Sequence, residues 1–158
     1  MSVEKVPFTK EGYERLSKEL DRLKSVERPK VISDIAEARA HGDLSENAEY
    51  SAAKEHQGII EARIADLEDK IGRANVVDFT NDPSDRVRFS AWVTVEDETT
   101  GDEKSYRIVS DLEADLENGL ISISSPIARA LMGKSVDDVV EVHAPKGKIE
   151  YLITGVRY

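Results

Sequence analysis

The 158-residue chain contains no cysteine, only three histidines, one tryptophan and no long apolar run. Without cysteine, disulfide bonds and thiolate metal sites are excluded. His41, His56 and His143 lie far apart and form no His-x-x-x-His pair, which argues against a zinc site. No segment approaches a signal-peptide core or a membrane span in length, so we expect a cytoplasmic protein with no membrane partner.

Basic side chains are also scarce. The chain has 22 basic and 32 acidic residues, a formal net charge of −10. General attraction to nucleic acid or to anionic lipid is therefore not expected to drive binding. Residues 78–158 carry 9 basic and 16 acidic side chains, against 13 and 16 in residues 1–77. The later residues are thus the part expected to dock on a basic surface of a protein partner.

The period of the apolar residues changes near residue 76. Before that point they recur at steps of three and four, as in the a/d seam of a coiled coil. With Thr9 as N-cap, the first helix is predicted from about residue 10 to residue 42. Two such arms predict an antiparallel hairpin in residues 1–77, with its tip at residues 41–50. The seam comprises Tyr13, Leu16, Leu20, Leu23, Ile32 and Ile35 in the first arm, and Ile60, Ile64, Leu67, Ile71 and Ala74 in the second.

Pro29 interrupts the first arm. Inside a helix, proline removes a hydrogen bond and clashes with the preceding turn, at a cost of about 3 kcal/mol. The helix either ends at Arg28 or continues with a kink. Because the seam resumes at Ile32, we favour a kink in a continuing arm.

Residues 78–158 have an apolar period of two, which is typical of strands. They predict about six strands and one short helix from residue 126 to residue 132. Ser125 is a suitable N-cap for that helix, Pro126 suits its first position, and Gly133 closes it. The predicted fold is therefore α+β, with a small antiparallel sheet and one short helix following the hairpin.

The tip has acids where a scaffold ordinarily has neutral turn residues. Asp43 and Glu46 are three residues apart, and two interpretations are open. In one, they form a capping box, with Asp43 as N-cap and Glu46 at the third helical position. In the other, they hold Mg²⁺, which two carboxylates bind weakly unless another macromolecule supplies further ligands. Arg39 and Lys54 flank the tip, either as plain surface charges or as contacts to a phosphate backbone.

Alanines are concentrated near the tip. Small side chains allow two helices to approach closely, which predicts a slim tip. Alanine is also the best helix former, so both explanations can apply. The alanines concerned are Ala36, Ala38, Ala40, Ala48, Ala52 and Ala53.

Two motifs resemble a known family. Residues 35–50 resemble the tip of the bacterial Gre transcript-cleavage factors and, within that family, are most similar to the GreA type. Residues 121–134 resemble the C-terminal signature of the family, as do residues 145–147 and the closing strand at residues 151–158. The resemblance covers essentially the whole chain. Because two long motifs in the right order are more specific than one Asp-x-x-Glu, it favours the functional interpretation of the tip.

The resemblance implies a coiled-coil hairpin, here residues 1–77, and an FKBP-like domain that docks on RNA polymerase, here residues 78–158. It implies a transcription elongation factor that enters the polymerase's secondary channel and stimulates the polymerase's own cleavage of backtracked RNA. On this view the factor is not an enzyme by itself. It shares Mg²⁺ with the polymerase and has no tightly bound cofactor of its own. The expected partners are bacterial RNA polymerase and the RNA 3′ end, and the factor is expected to be a monomer.

The resemblance also assigns roles to residues. It implies that Asp43 and Glu46 help to hold the second Mg²⁺ and to position the attacking water. Arg39 and Lys54 are the implied contacts near the RNA 3′ end. Some relatives have an acidic residue at position 124. The segment that meets the polymerase is matched by Ser124, Ser125 and Pro126.

Three other functions are consistent with parts of the sequence. A channel binder that does not promote cleavage would not need both tip acids. A prolyl isomerase needs a concave aromatic pocket, for which residues 78–158 offer a single tryptophan, Trp92. A coiled-coil adaptor would tolerate neutral residues throughout the tip.

Overall fold

The computed structural model describes residues 4–43 and 47–158. The chain divides into two compact units. The hairpin unit contains Tyr13–Ala74, and the sheet unit contains Lys5–Gly12 and Asn75–Tyr158. Residues 5–12 thus pack with the sheet, whereas the sequence-based boundary had kept them with the hairpin. Within the described ranges, no helix is both long and apolar enough to cross a membrane.

The first arm of the hairpin is helical throughout and passes through Pro29 without ending. Helix α1 (Lys10–Arg22) leads into a π-helical turn at Leu23–Glu27, and helix α2 (Arg28–Arg39) follows directly. In that turn the N–H of Arg28 donates to the carbonyl of Leu23, five residues earlier. Pro29, which has no backbone N–H to donate, is the second residue of α2 and directly follows this turn. The proline therefore widens one turn of a continuous arm.

The π-helical turn changes which residues face the second arm. Val31, Ile60 and Ile64 form a buried cluster, against which Leu23 packs. Ile32, predicted to resume the seam, is instead 52% exposed. A π turn holds about one residue more than an α turn, so Val31 lies two full turns after Leu23. Ile32 is about 100° farther round the helix, and its assignment to the seam was wrong.

Helix α3 (Ala48–Gly72) is the second arm and runs antiparallel to the first. Arg28 Nε lies 2.7 Å from Glu61 Oε1, and Lys24 Nζ lies 3.0 Å from Glu68 Oε1. The earlier residue of the first arm thus pairs with the later residue of the second, as expected for antiparallel helices. The Arg28 guanidinium donates two hydrogen bonds to Glu61 and holds the pKa of that carboxyl below its ordinary value. Exposed pairs of this kind align the arms more than they stabilise them.

The sheet unit contains a five-stranded sheet, in the order β5 (Leu120–Ser122), β4 (Glu103–Val109), β3 (Trp92–Asp97), β7 (Gly147–Arg157) and β6 (Val139–Ala144). Its pairs are antiparallel except β4–β5, which is parallel. The predicted small antiparallel sheet is therefore confirmed, with one parallel pair whose strands are joined by a connection containing two short 3₁₀ turns.

The remaining elements complete the sheet unit. Strands β1 (Val6–Thr9) and β2 (Ala74–Val77) form a separate two-stranded sheet. Helix α4 (Pro126–Leu131) buries Ala128 and Leu131 in the same apolar core as the inward side chains of the large sheet. Its start at Pro126 confirms the helix predicted from the sequence.

A buried carboxylate ties residues 5–12 to the rest of the sheet unit. Glu113 is 3% exposed and accepts hydrogen bonds from the backbone N–H and the hydroxyl of Thr9. It also accepts from the N–H of Ser110 at 3.2 Å and from its hydroxyl at 2.7 Å. Thr9 Oγ1 in turn accepts from the N–H of Gly12 at 3.0 Å, which confirms Thr9 as the N-cap of α1.

Candidate functional site

The end of the first arm is closed by backbone hydrogen bonds and a glycine. After Arg39, the N–H of His41 donates to the carbonyl of Ala38 at 3.2 Å, and the N–H of Gly42 donates to that of Arg39 at 3.3 Å. Gly42 has a φ of +103°, a conformation that L-residues with a side chain rarely adopt. Asp43 follows directly, exposed and outside both helices. The predicted end of the first helix at residue 42 was therefore about three residues late.

The second arm is capped by Asn47, not by an acid. Asn47 Oδ1 accepts from the N–H of Tyr50 at 3.0 Å, and α3 begins at the next residue, Ala48. The capping-box interpretation was therefore wrong, because a helix capped by Asp43 would begin four residues earlier. Asp43 remains in the turn, and Glu46 lies outside the described residues.

Asn47 also reaches across to the first arm. Its Nδ2 donates to the backbone carbonyl of Ala38 at 2.7 Å. Ala38 is 2% exposed, so its methyl side chain is where the arms approach closely. Ala36 and Ala40 are exposed, as expected of residues that are only good helix formers. Both explanations for the alanines apply, each to different positions.

The two flanking basic residues have different surroundings. The Arg39 guanidinium carbon lies 5.9 Å from the centroid of the Tyr50 ring, within range of a cation–π contact between the arms. Lys54 is exposed, and its Nζ donates to Gln57 Oε1 at 3.2 Å on the same helix. Arg39 is thus held near the tip, whereas Lys54 lies along the surface of α3.

A contact between a histidine and a carboxylate also connects the arms beside the tip. His41 Nδ1 lies 3.3 Å from Glu49 Oε2, with the two side chains 54% and 72% exposed. A contact this exposed contributes little to stability. Across residues 4–43 and 47–158, no group of three or more His, Cys, Asp or Glu side chains is placed to hold a metal ion.

The proposed docking segment is in the sheet unit, at the start of α4. Ser125 caps this helix by accepting from the N–H of Ala128 at 3.3 Å, and Pro126 is its exposed first residue. The Ser124 hydroxyl donates to Asp111 Oδ1 at 2.9 Å. Asp111 therefore places a carboxylate beside the Ser124 hydroxyl at the start of α4.

Sequence reasoning missed two residues of these sites. Asn47 was missed although asparagine directly before a helical run is a favoured N-cap. Asp111 gave no local signal, because it lies 13 residues before Ser124 and meets it only through the parallel pairing of β4 and β5.

The chain matches family profiles over nearly its whole length. Residues 6–76 match the profile described as "Transcription elongation factor, N-terminal". Residues 82–158 match the one described as "Transcription elongation factor, GreA/GreB, C-term". The chain therefore belongs to the GreA/GreB family of transcription elongation factors. The resemblance predicted from the two sequence motifs is confirmed.

Several similar proteins carry the name "Transcription elongation factor GreA". The chain is 58% identical to that of Anaeromyxobacter sp. (strain K) over 156 residues, which cover 99% of this chain and 94% of the relative. It is 57% identical to that of Caulobacter vibrioides (strain NA1000 / CB15N) and 54% to that of Yersinia pestis bv. Antiqua (strain Angola), with 99% of each chain covered. A solved structure, GreA factor homolog 1 (Gfh1) of Thermus thermophilus, is 31% identical with a TM-score of 0.45 and covers 98% of this chain and 100% of its own.

Proposed function

We propose that the protein enters the secondary channel of bacterial RNA polymerase and stimulates the polymerase's own cleavage of the 3′ end of backtracked RNA. The observation that carries this proposal is the cap of α3. Because Asn47 occupies the cap position, neither Asp43 nor Glu46 is needed there. Capping of α3 therefore does not account for the acids, and their position in the chain between the two arms fits the metal-supporting role that the family resemblance implies.

The hairpin has dimensions suited to a channel. Helix α3 has 25 residues, which at 1.5 Å per residue is about 37 Å. At the tip end, Ala38 is buried where the arms approach closely. A hairpin of this length and slimness can carry the turn at Asp43 deep into a narrow opening.

The tip acids are the residues that would hold Mg²⁺ on the protein's side. Carboxylate oxygens are ligands that Mg²⁺ prefers, and Asp43 is exposed in the turn where an ion from solution or polymerase can reach it. Two carboxylates fill only part of a six-oxygen shell, so polymerase and water are expected to supply the rest. A metal bound there supplies charge neutralisation and an activated water for phosphodiester hydrolysis.

Arg39 and Lys54 are proposed to contact the RNA near its 3′ end. Arg39 is exposed, and its contact with Tyr50 limits the positions of the guanidinium before RNA arrives. Both side chains can pair with phosphate oxygens, Arg39 with two at once. Neither makes an ion pair with a carboxylate within the described part of the chain.

The sheet unit is proposed to dock on a basic surface of the polymerase through the start of α4. Ser124 and Pro126 are exposed there, and Asp111 adds a carboxylate held by the Ser124 hydroxyl. The net charge of −7 on residues 78–158 suits a basic partner surface. The same charge does not favour direct binding of the sheet unit to nucleic acid.

The test uses a backtracked elongation complex with 5′-labelled RNA. We expect the native protein with Mg²⁺ to shorten the RNA quickly, and Asp43→Asn to lose on the order of 100-fold or more of that stimulation, as when a transition-state ligand is removed. Polymerase affinity should hardly change, because docking uses the sheet unit. Asp34→Asn removes the same charge from an exposed position on α2 and should cleave like the native chain.

Two results would contradict the proposal in different ways. Normal cleavage by Asp43→Asn would show that the tip acid does not support the metal. Binding of the native protein without any RNA shortening would identify a channel regulator that does not promote cleavage. The relatives named GreA favour the cleavage factor over this alternative.

A further inference from the structure

Asn47 makes two hydrogen bonds that end on different arms of the hairpin. Its Oδ1 accepts from the N–H of Tyr50 in the first turn of α3, at 3.0 Å. Its Nδ2 donates to the carbonyl of Ala38 in the last turn of α2, at 2.7 Å. One half-buried amide group therefore joins the end of one helix to the start of the next.

Both bonds together require asparagine. An N-cap needs only an acceptor, and asparagine, aspartate and serine are about equally good at it. The bond to Ala38 needs a donor on the same side chain. An ionised aspartate has no donor, and a serine hydroxyl ends one bond short of the position of the amide nitrogen. Reversing the amide would point two donors at the N–H of Tyr50, so the orientation of the group is also determined.

The acceptor of this bond lies where a rigid connection has the most effect. Ala38 is among the last residues of α2, and its carbonyl also accepts from the N–H of His41 at 3.2 Å in the turn that closes the helix. Ala38 is also nearly fully buried, so its backbone has little freedom to move. Another contact between the arms here, His41–Glu49, is largely exposed and therefore weak.

We propose that Asn47 is a positioning residue for the tip acid Asp43. Asp43 directly follows the turn that closes α2, and Asn47 caps the start of α3 four residues later, so Asp43 lies between two anchored ends. The bond from Asn47 to Ala38 fixes the distance between those ends. This inference rests on the proposed function for its consequence in cleavage, but the bond itself is testable without polymerase.

The test separates the cap from the bond across the hairpin. Asn47→Ser and Asn47→Asp keep a cap acceptor and lose the donor to Ala38. Asn47→Ala loses both. Asn118→Ser makes the same change at an exposed position in the sheet unit and is the matched control.

The first measurement is hydrogen exchange on the free protein. In Asn47→Ser and Asn47→Asp we expect the amides of His41 and Gly42, which close the end of α2, to exchange roughly 3- to 10-fold faster, as for loss of one hydrogen bond. Amides between residues 60 and 70 in α3 should be unchanged. Native exchange at His41 and Gly42 in both variants, with an effect in Asn47→Ala alone, would reduce Asn47 to a cap and overturn the inference.

The second measurement is a Mg²⁺ titration of RNA cleavage at saturating factor. We expect Asn47→Ser to need roughly 3- to 10-fold more Mg²⁺ for half-maximal cleavage while approaching the native maximal rate and keeping native polymerase affinity. A fall in maximal rate or affinity with an unchanged Mg²⁺ requirement would count against positioning. If Asp43→Asn cleaved normally, the proposed function would fail, and the exchange measurement would still decide whether the bond orders the tip.

Discussion

Replacing Gly12 by alanine should destabilise the sheet unit strongly. Gly12 is buried in the first turn of α1, beside the carboxylate of Glu113. A Cβ added there would lie 1.7 Å from Glu113 Oε1 and 2.1 Å from its carboxyl carbon. These distances are far inside van der Waals contact, so the Glu113 side chain would have to leave its position.

The cost follows from the bonds that Glu113 would lose. The carboxylate accepts two hydrogen bonds from Thr9 and two from Ser110 in a buried site. Hydrogen bonds to charged groups contribute about 1.5–3 kcal/mol each, so losing the two from Thr9 costs about 3–6 kcal/mol. Alanine in place of glycine stabilises a helix by about 0.5–1 kcal/mol, which offsets part of this loss. We therefore expect the free energy of unfolding to fall by about 2–5 kcal/mol.

The measurement is urea unfolding followed by circular dichroism and by the fluorescence of Trp92 in the sheet unit. Gly58→Ala is the matched control, because Gly58 is an exposed position within α3 and nothing lies within 4 Å of an added Cβ. The same substitution there should stabilise by about 0.5–1 kcal/mol. The same glycine-to-alanine substitution is thus expected to lower the free energy of unfolding at position 12 and to raise it at position 58.

An unchanged unfolding midpoint in Gly12→Ala would refute this reasoning. A double variant supplies a further check. Once Glu113 is replaced by alanine, the added methyl at position 12 has space, so Gly12→Ala should cost little more in that background. Simple additivity of the two losses would show that Gly12 and Glu113 do not contact each other as described.

Two further predictions concern the hairpin unit. Ile64→Ala should lower the free energy of unfolding by about 2–5 kcal/mol, because Ile64 is 2% exposed in the seam. Ile59 is 62% exposed, so Ile59→Ala should change the free energy of unfolding little. Thermal melts of the two variants make the comparison, and equal losses would contradict the assigned seam. The hydrogen bonds from Arg28 lower the pKa of Glu61, so the folded state binds fewer protons at Glu61 than the unfolded state does. The ion pair therefore stabilises the folded state at neutral pH, and this stabilisation is lost as the pH falls below the ordinary pKa of about 4.5. Melting temperatures measured from pH 7 to pH 3 should therefore fall less steeply in Glu61→Gln, and parallel curves for the two proteins would be the contrary result.

Features set by local chemistry were predictable from the sequence. The N-caps at Thr9 and Ser125 and the helix start at Pro126 depend on neighbouring backbone groups, and all three were confirmed. The cap of α3 was not predicted, because asparagine and aspartate cap equally well and local chemistry cannot rank Asn47 above Asp43. Contact between the arms decides between them, through the bond from Asn47 to Ala38.

Features that depend on tertiary contact or on helix type were not predictable. Glu113 meets Thr9 across 104 residues, so no local pattern indicated that residues 5–12 belong with the sheet. The seam was misassigned at Ile32, because counting residues assumes an α-helix throughout the first arm. A π-helical turn leaves no periodic signal of its own, and Pro29 was its only indication.

That π-helical turn at Leu23–Glu27 also sets the angular position of the tip. Removing one of its residues would rotate the rest of the first arm by about 100° relative to α1. The carbonyl of Ala38 would then turn away from Asn47, although every residue at the tip was unchanged. In this hairpin, a single insertion or deletion more than ten residues before the tip is therefore expected to alter the contacts that hold the tip.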